Sequence, residues 1–92
     1  MNNQKIENLA KKLKAVANEK RLSILYYLNE SELNVGEIER KVDLSQSALS
    51  QHLAVLRREN IVKTRRKAQT IYYDLDDDKI RQILSLLKNL FL

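Results

Sequence analysis

The stretch LSQSALSQHLAVLRREN, from Leu44 to Asn60, decides how the rest of the chain is interpreted. With Gln46 at zero and about 100° per residue, Leu49, Leu53 and Leu56 fall between about 280° and 340°. The opposite face, between about 0° and 140°, carries short polar side chains and ends in cations: Gln46, Ser47, Ser50, Gln51, Ala54, Arg57 and Arg58. This pattern predicts one amphipathic helix with Ser45 as its N-cap.

The polar face of this helix indicates a function, because serine is a poor helix former and helix propensity alone does not explain it. Glutamine pairs bidentately with adenine, and serine reaches base edges or phosphates. An ordinary solvated face is the alternative, but such faces usually carry Glu and Lys. We therefore predict that Ser45, Gln46, Ser47, Ser50 and Gln51 contact DNA in the major groove. Arg57 and Arg58, at the far end, are predicted to contact phosphates or to form an intramolecular ion pair.

The segments before this helix read as three further helices. Ile6, Leu9 and Leu13 predict an amphipathic helix over residues 5–17, and a second helix, capped by Asn18, follows to residue 28. Asn34 with Glu37 forms a capping box that opens a short helix ending near residue 42.

After Asn60 the pattern changes to a β-hairpin and a last helix. The runs IVKTRR and TIYYDL are rich in β-branched and aromatic residues and are split by KAQ, and residues 76–92 then have helical periodicity. Ile71, Tyr73 and Leu75 are expected to share one face of the hairpin. The order α-α-α-α-β-β-α predicts a mainly α (α+β) fold, a winged helix-turn-helix, in one domain over residues 1–92.

The hairpin carries much of the positive charge. Six basic residues and one acid lie between Arg57 and Lys67. A cationic hairpin beside a polar helix is the expected footprint of phosphate neutralisation, although a charge run alone is usually a solvated surface. The predicted contacts at and near its tip are Arg65, Arg66, Lys67, Gln69 and Thr70.

Composition restricts the chemistry available to the chain. It has 92 residues with one glycine and no proline, which favours closely packed helices, and its charge of +5 favours a polyanionic partner. Cysteine is absent and His52 is the single histidine, so we expect no disulfide, no metal site, no cofactor and no enzymatic activity. No apolar run resembles a signal peptide or a membrane span, which predicts a cytoplasmic protein without a membrane role.

Two titratable features have competing interpretations. His52 projects to about 240°, at the edge of the leucine stripe, which predicts a packed histidine bonded to neighbouring backbone rather than a base contact or a pH sensor. The acids Asp74 and Asp76 to Asp78 precede the last helix and are expected to favour its N-terminus, with a cation site as the alternative.

Apolar stripes on the first and last helices predict a homodimer, because a short chain cannot easily cover both internally. The alternative is that these residues close the core of the monomer. The predicted interface residues are Ile6, Leu9, Leu13, Ile80, Ile83, Leu84, Leu87, Leu90 and Phe91.

Three segments, VANEKRLSILYYL, ELNVGEIERKVDLSQSALSQHLAVLRRENIV and TRRKAQTIYYDL, make the chain resemble the ArsR/SmtB family of winged-helix transcriptional repressors. The S-x-S-x-x-S-x-H-L arrangement marks the recognition helix of that family. The resemblance implies a homodimer through the first and last helices and major-groove entry by the helix that begins at Ser45.

The sensor positions of the family are altered in this chain. It looks most like the HlyU-like and BigR-like branch, whose members sense oxidants or reactive sulfur through two cysteines, and those positions match Tyr26 and Leu92. The metal-binding box of other members reads ELNVGEI here, with Asn34 and Gly36 in place of cysteines. The hairpin turn KAQ lacks the glycine that often tightens it, which predicts a looser tip.

Together these features predict a regulator, a repressor or anti-silencer, that binds a palindromic double-stranded operator as a homodimer. It would lack the metal and dithiol sensors of its relatives. The alternative is a winged-helix interaction module whose basic face docks an acidic protein partner.

Overall fold

The computed structural model describes residues 2–76 and 78–92, and within them it confirms the predicted order of helices and hairpin with one addition, the strand β1. The elements are α1 (Asn3–Val16), α2 (Glu19–Glu30), β1 (Leu33–Asn34), α3 (Val35–Lys41), α4 (Gln46–Arg58), β2 (Val62–Lys67), β3 (Thr70–Leu75) and α5 (Asp78–Phe91). The predicted helix bounds agree to within two residues, because the caps that set them are local features of the sequence.

The predicted N-caps are confirmed. The Ser45 Oγ accepts from the Ala48 N–H at 3.1 Å, and the Asn18 Oδ1 accepts from two backbone N–H groups of α2 at 3.0 Å. Asn34 and Glu37 form the reciprocal capping box at 2.9 Å in both directions. These caps satisfy backbone donors that helix geometry leaves unpaired, so they fix where α2, α3 and α4 begin.

The C-terminus of α4 is closed by a Schellman motif. Asn60 lies in the left-handed region with a φ of 58°, its N–H donates to Arg57, and the Ile61 N–H donates to the Leu56 carbonyl at 2.9 Å. Asparagine tolerates this conformation better than most residues, and the apolar pair Leu56 and Ile61 is fully buried behind it. The chain therefore turns sharply from α4 into the hairpin.

The hairpin becomes part of a three-stranded antiparallel sheet of order β1-β3-β2. Strand β1, which the sequence analysis did not predict, pairs Leu33 with Tyr73 and Asn34 with Tyr72. Two residues are too few for an alternating pattern, and the Asn34 side chain is already used to cap α3. Asn34 thus pairs with Tyr72 in the sheet while it also caps α3 with its side chain and its N–H.

The tip of the hairpin is tighter than the KAQ segment predicted. Lys67 pairs with Thr70, so the turn holds only two residues, and its first, Ala68, has a φ of 56°. A left-handed alanine costs about 1–2 kcal/mol, which the twist of the two strands offsets.

The leucine stripe of α4 is part of the hydrophobic core. Leu49, Leu53 and Leu56 are all buried and pack with apolar residues from the other helices and the sheet. Two residues predicted for the dimer interface, Ile80 and Leu84, belong to this core instead, since they are almost completely buried within the single chain. The prediction was wrong for them because the apolar stripe of α5 is wide enough to serve two surfaces.

Several large apolar residues of α1 and α5 are partly or largely exposed. On α1 they are Ile6, Leu9 and Leu13; on α5 they are Ile83, Leu86, Leu90 and Phe91, with Leu87 half-buried. Leu86 was missed because it lies on the flank of the wheel away from the core. We call these residues the α1–α5 apolar surface.

Polar contacts hold α5 against α2 and β3. Arg81 bonds the Asn29 side chain at 2.9 Å and the Asp74 carboxylate at 3.1 Å, and the Tyr26 hydroxyl donates to the Leu84 carbonyl at 2.9 Å. Asp74 therefore serves an intramolecular ion pair, while Asp77 of the acidic run lies outside the described residues. No helix in the described ranges has both the length and the apolarity to cross a membrane.

Candidate nucleic-acid interface

The exposed face of α4 carries four of the five residues predicted to contact DNA in the major groove. Gln46, Ser47, Ser50 and Gln51 are all exposed, whereas the leucines on the opposite side are buried. Within the described ranges, no hydrogen bond engages these four side chains. Their donors and acceptors are therefore free to meet base edges, which present matching groups in the major groove.

Ser45 has a structural task at the start of this face. Its Oγ already accepts from the Ala48 N–H, so one lone pair of the hydroxyl is used in the cap. The hydroxyl proton is left to donate outward, and a phosphate oxygen is a suitable acceptor.

The two arginines at the end of α4 differ in their ion pairing. Arg58 forms an ion pair with Glu59, at 3.6 Å from Nε to Oε2, while the exposed Arg57 has no ion pair with any described residue. Both arginines line a hollow of about 400 Å³ between α4 and β3, together with Ser50 and Tyr73, so only the ion pairing distinguishes them. Arg57 is thus the arginine better placed to neutralise a phosphate.

Residues of the hairpin alternate between two faces, as predicted. Arg66 lies opposite Ile71, on the face that also holds Tyr73, and Lys67 lies opposite Thr70 on the other face. Arg66, Lys67 and the turn residue Gln69 are exposed, and Thr70 is half-buried. The tip therefore presents two cations and an amide to the solvent.

Arg65 is engaged within the protein. Its Nε and Nη2 form a bidentate pair with Glu32 at 2.6–2.9 Å, and its guanidinium lies 4.8 Å from the centre of the Tyr72 ring. The hydrogen bond to Arg65 lowers the pKa of Glu32, and the same bond raises that of Arg65. Arg65 thus ties β2 to the loop before β1 and is less available to DNA than its neighbours.

His52 is half-buried on α4, as expected, but its partner is different from the prediction. Its Nδ1 lies 3.2 Å from Nη1 of Arg21, a side chain of α2 and not a neighbouring backbone group. Burial lowers the pKa of His52, and the charge of Arg21 lowers it further. No local signal in the sequence could reveal a contact across 31 residues.

The sensor positions noted in the sequence have other tasks here. Asn34 caps α3, and Tyr26 bonds the backbone of α5. Among the described residues, no three His, Cys, Asp or Glu side chains gather closely enough to hold a metal ion.

Comparisons with known proteins agree with this geometry. Residues 18–64 match the sequence profile described as "Bacterial regulatory protein, arsR family". Over 95 residues the chain is 48% identical to the transcriptional activator HlyU of Vibrio cholerae, covering 99% of this chain and 88% of HlyU. It is 43% identical to the biofilm growth-associated repressor of Agrobacterium fabrum over 79 residues, covering 86% and 68% of the two chains.

Solved structures resemble the fold over nearly its whole length. The structure of HlyU from Vibrio cholerae has a TM-score of 0.88 at 46% identity and covers 98% of both chains. A homodimeric winged helix-turn-helix DNA-binding domain, Mb0332 from Mycobacterium bovis, has a TM-score of 0.88 at 25% identity, covering 98% of this chain and 86% of that one.

A short helix, a tight connection, a polar recognition helix and a cationic hairpin together define a winged helix-turn-helix protein. The matched profile covers this arrangement from α2 into β2. The chain belongs to the ArsR family of bacterial regulatory proteins. It is a DNA-binding transcriptional regulator and not an enzyme.

Proposed function

We propose that this regulator reads a palindromic operator as a homodimer, with α4 in the major groove and the hairpin tip against the flanking phosphates. The carrying observation is the row formed by Gln46, Ser47, Ser50 and Gln51, exposed and unbonded over a buried leucine stripe. A neutral row of amides and hydroxyls suits base edges better than an acidic protein surface, which would favour cations.

The homodimer is supported by the α1–α5 apolar surface. Leu13, Leu86 and Leu90 are each more than half exposed in the single chain, and they lie on the first and last helices. A second copy is the natural cover, since a two-fold axis brings the same surface of each subunit together. Such a dimer presents its two α4 helices about 34 Å apart, which requires half-sites one helical turn apart.

We propose further that the chain responds to no metal and to no dithiol oxidation. Cysteine is absent, and Tyr26, Asn34 and Gly36 stand where the resemblance places sensor residues. The named relatives include an activator and a repressor. Blocking a promoter or displacing a silencing protein both follow from occupying DNA, so the sign of regulation depends on where the operator lies. We propose a cytoplasmic location for it, because a bacterial transcriptional regulator acts on DNA in that compartment.

The test is selection of bound duplexes from a random pool, followed by titration of the selected duplex and a scrambled one across salt concentrations. Sequence-specific reading predicts a palindromic consensus and a preference for it that persists as salt rises. Equal affinity for both duplexes at every salt concentration would refute sequence-specific reading. Binding that survives nuclease treatment, with no duplex selected, would favour a protein partner instead.

A further inference from the structure

The side chain of Arg21 joins three helices. Its Nε donates to the Ala15 carbonyl at 2.6 Å, its Nη2 donates to the Lys14 carbonyl at 3.3 Å, and its Nη1 contacts His52 Nδ1 at 3.2 Å. The carbonyls of Lys14 and Ala15 lie in the last turn of α1, where helix geometry leaves acceptors unpaired. One guanidinium on α2 therefore closes the end of α1 and holds α4 beside it.

The protonation state of His52 follows from the chemistry of its partner. A guanidinium has donors and no acceptor, so it can bond Nδ1 only while that nitrogen keeps its lone pair. His52 is thus neutral in this arrangement, with its proton on Nε2. Protonation turns Nδ1 into a donor and places an imidazolium against a guanidinium, so that a hydrogen bond is replaced by repulsion.

The charged groups on the Arg21 side of this contact are mainly cationic. A hollow of about 550 Å³ beside Arg21 is lined by Lys11 and Lys14 of α1 and by Arg58 and Glu59 at the end of α4. Glu59 is the carboxylate in that lining, and it is paired with Arg58. Burial and the charge of Arg21 both hold the pKa of His52 below its usual 6.5.

Resting on the proposed function, we propose that Arg21 and His52 are positioning residues for the recognition helix, and that protonation of His52 weakens operator binding. The helix α1 carries part of the apolar surface assigned to the dimer, and α4 carries the base-reading row. A palindrome is read only when both α4 helices keep a fixed position relative to the dimer axis. Arg21 links these two helices from α2, because its guanidinium bonds the carbonyls of Lys14 and Ala15 at the end of α1 and contacts His52 of α4.

The direction of the effect separates this proposal from ordinary electrostatics. A protonated His52 adds one positive charge to a chain of net charge +5. Since added positive charge strengthens binding to a polyanion, general electrostatics predicts tighter DNA binding on acidification. Loss of the link between Arg21 and His52 predicts weaker binding over the same pH range.

Because His52 is the single histidine, its imidazole gives an isolated NMR signal whose pH titration can be followed in the free protein and in the complex with the selected duplex. We expect a free-protein pKa below 6.5 and a lower pKa in the complex. By linkage, about tenfold weaker binding by the protonated form requires a pKa about one unit lower in the complex. A pKa at or above the usual value, or one that DNA raises, would overturn the proposal.

Two variants test the positioning role. His52→Asn keeps an oxygen acceptor near the place of Nδ1 but cannot titrate, so we expect wild-type affinity at neutral pH and no weakening by acid. Arg21→Lys loses the planar fork, so we expect several-fold weaker binding at neutral pH and a His52 pKa closer to its usual value.

Thermal melts verify that each variant folds, and the wild-type titration does not depend on any variant. An acid response of His52→Asn equal to that of the wild type would overturn the proposal. Failure of the wild type to prefer any duplex at any pH would instead refute the proposed function, and this inference with it.

Discussion

Truncation of Leu13 should weaken the dimer without unfolding the subunit. Leu13 is 52% exposed in the single chain, on the same face of α1 as Ile6 and Leu9. Complete burial of a leucine is worth about 1.5–3 kcal/mol, so covering the exposed half contributes about 1 kcal/mol per copy. The side chain occurs twice in a two-fold dimer. Leu13→Ala should therefore cost about 2 kcal/mol of dimer stability, or about 30-fold in the dissociation constant.

Sedimentation equilibrium over a range of protein concentrations measures this dissociation constant, and thermal melts report the folding of the subunit. Ile71→Ala is a suitable control, because Ile71 is an apolar residue of 37% exposure on β3, outside the α1–α5 apolar surface. Equal dissociation constants for the wild type and Leu13→Ala would refute the assignment of this surface to the dimer. A wild-type chain that stays monomeric at every concentration would refute the dimer itself.

Three further predictions concern the DNA-binding face and its support. Gln51→Ala should weaken binding to the selected duplex by about 1–3 kcal/mol and leave scrambled DNA unaffected, with Gln82→Ala on α5 as the control. Arg66→Ala should weaken binding to both duplexes and reduce the slope of binding against salt concentration by about one. Lys88→Ala, which removes the same charge from α5, is the control. Glu32→Gln should lower the melting temperature at neutral pH. Because the folded-state pKa of Glu32 lies below 4.5, this difference should disappear as the pH falls through that lower value.

Each of these predictions has a contradicting result. Equal losses on both duplexes for Gln51→Ala would contradict base reading, and an unchanged salt slope for Arg66→Ala would contradict a phosphate contact. A melting difference for Glu32→Gln that persists in acid would mean that the pair with Arg65 is not its source.

The recognition helix could be predicted from sequence because its determinants are local. Ser45 accepts a hydrogen bond from a backbone N–H three residues away. The leucines of α4 recur every three or four residues, and the polar residues fall between them. The same locality explains the confirmed capping box at Asn34. The tip of the hairpin was predicted less well, since the left-handed conformation of Ala68 is imposed by the pairing of two strands and not by alanine itself.

Contacts between distant residues could not be predicted. Tyr26 lies 58 residues from its partner Leu84 in the sequence. Arg21 lies 31 residues from His52, and Arg65 lies 33 residues from Glu32. Neither periodicity nor motif spacing carries information about them. Which apolar residues of α5 are buried in the core and which are exposed could not be predicted for the same reason, because burial of Leu84 depends on the neighbours that the fold brings to it.

These distant contacts share one element, which is α2 with the loop that follows it. Tyr26 holds α5, Arg21 holds α4, and Glu32 holds the hairpin. The surfaces assigned to dimerisation, base reading and phosphate contact are thus positioned against a common helix, although none of them lies on it. A substitution at Gln51 should change which sequence is bound, because it removes a group that meets the base. A substitution at Arg21 should change how tightly every operator is bound, because it shifts the recognition helix α4 relative to the dimer axis.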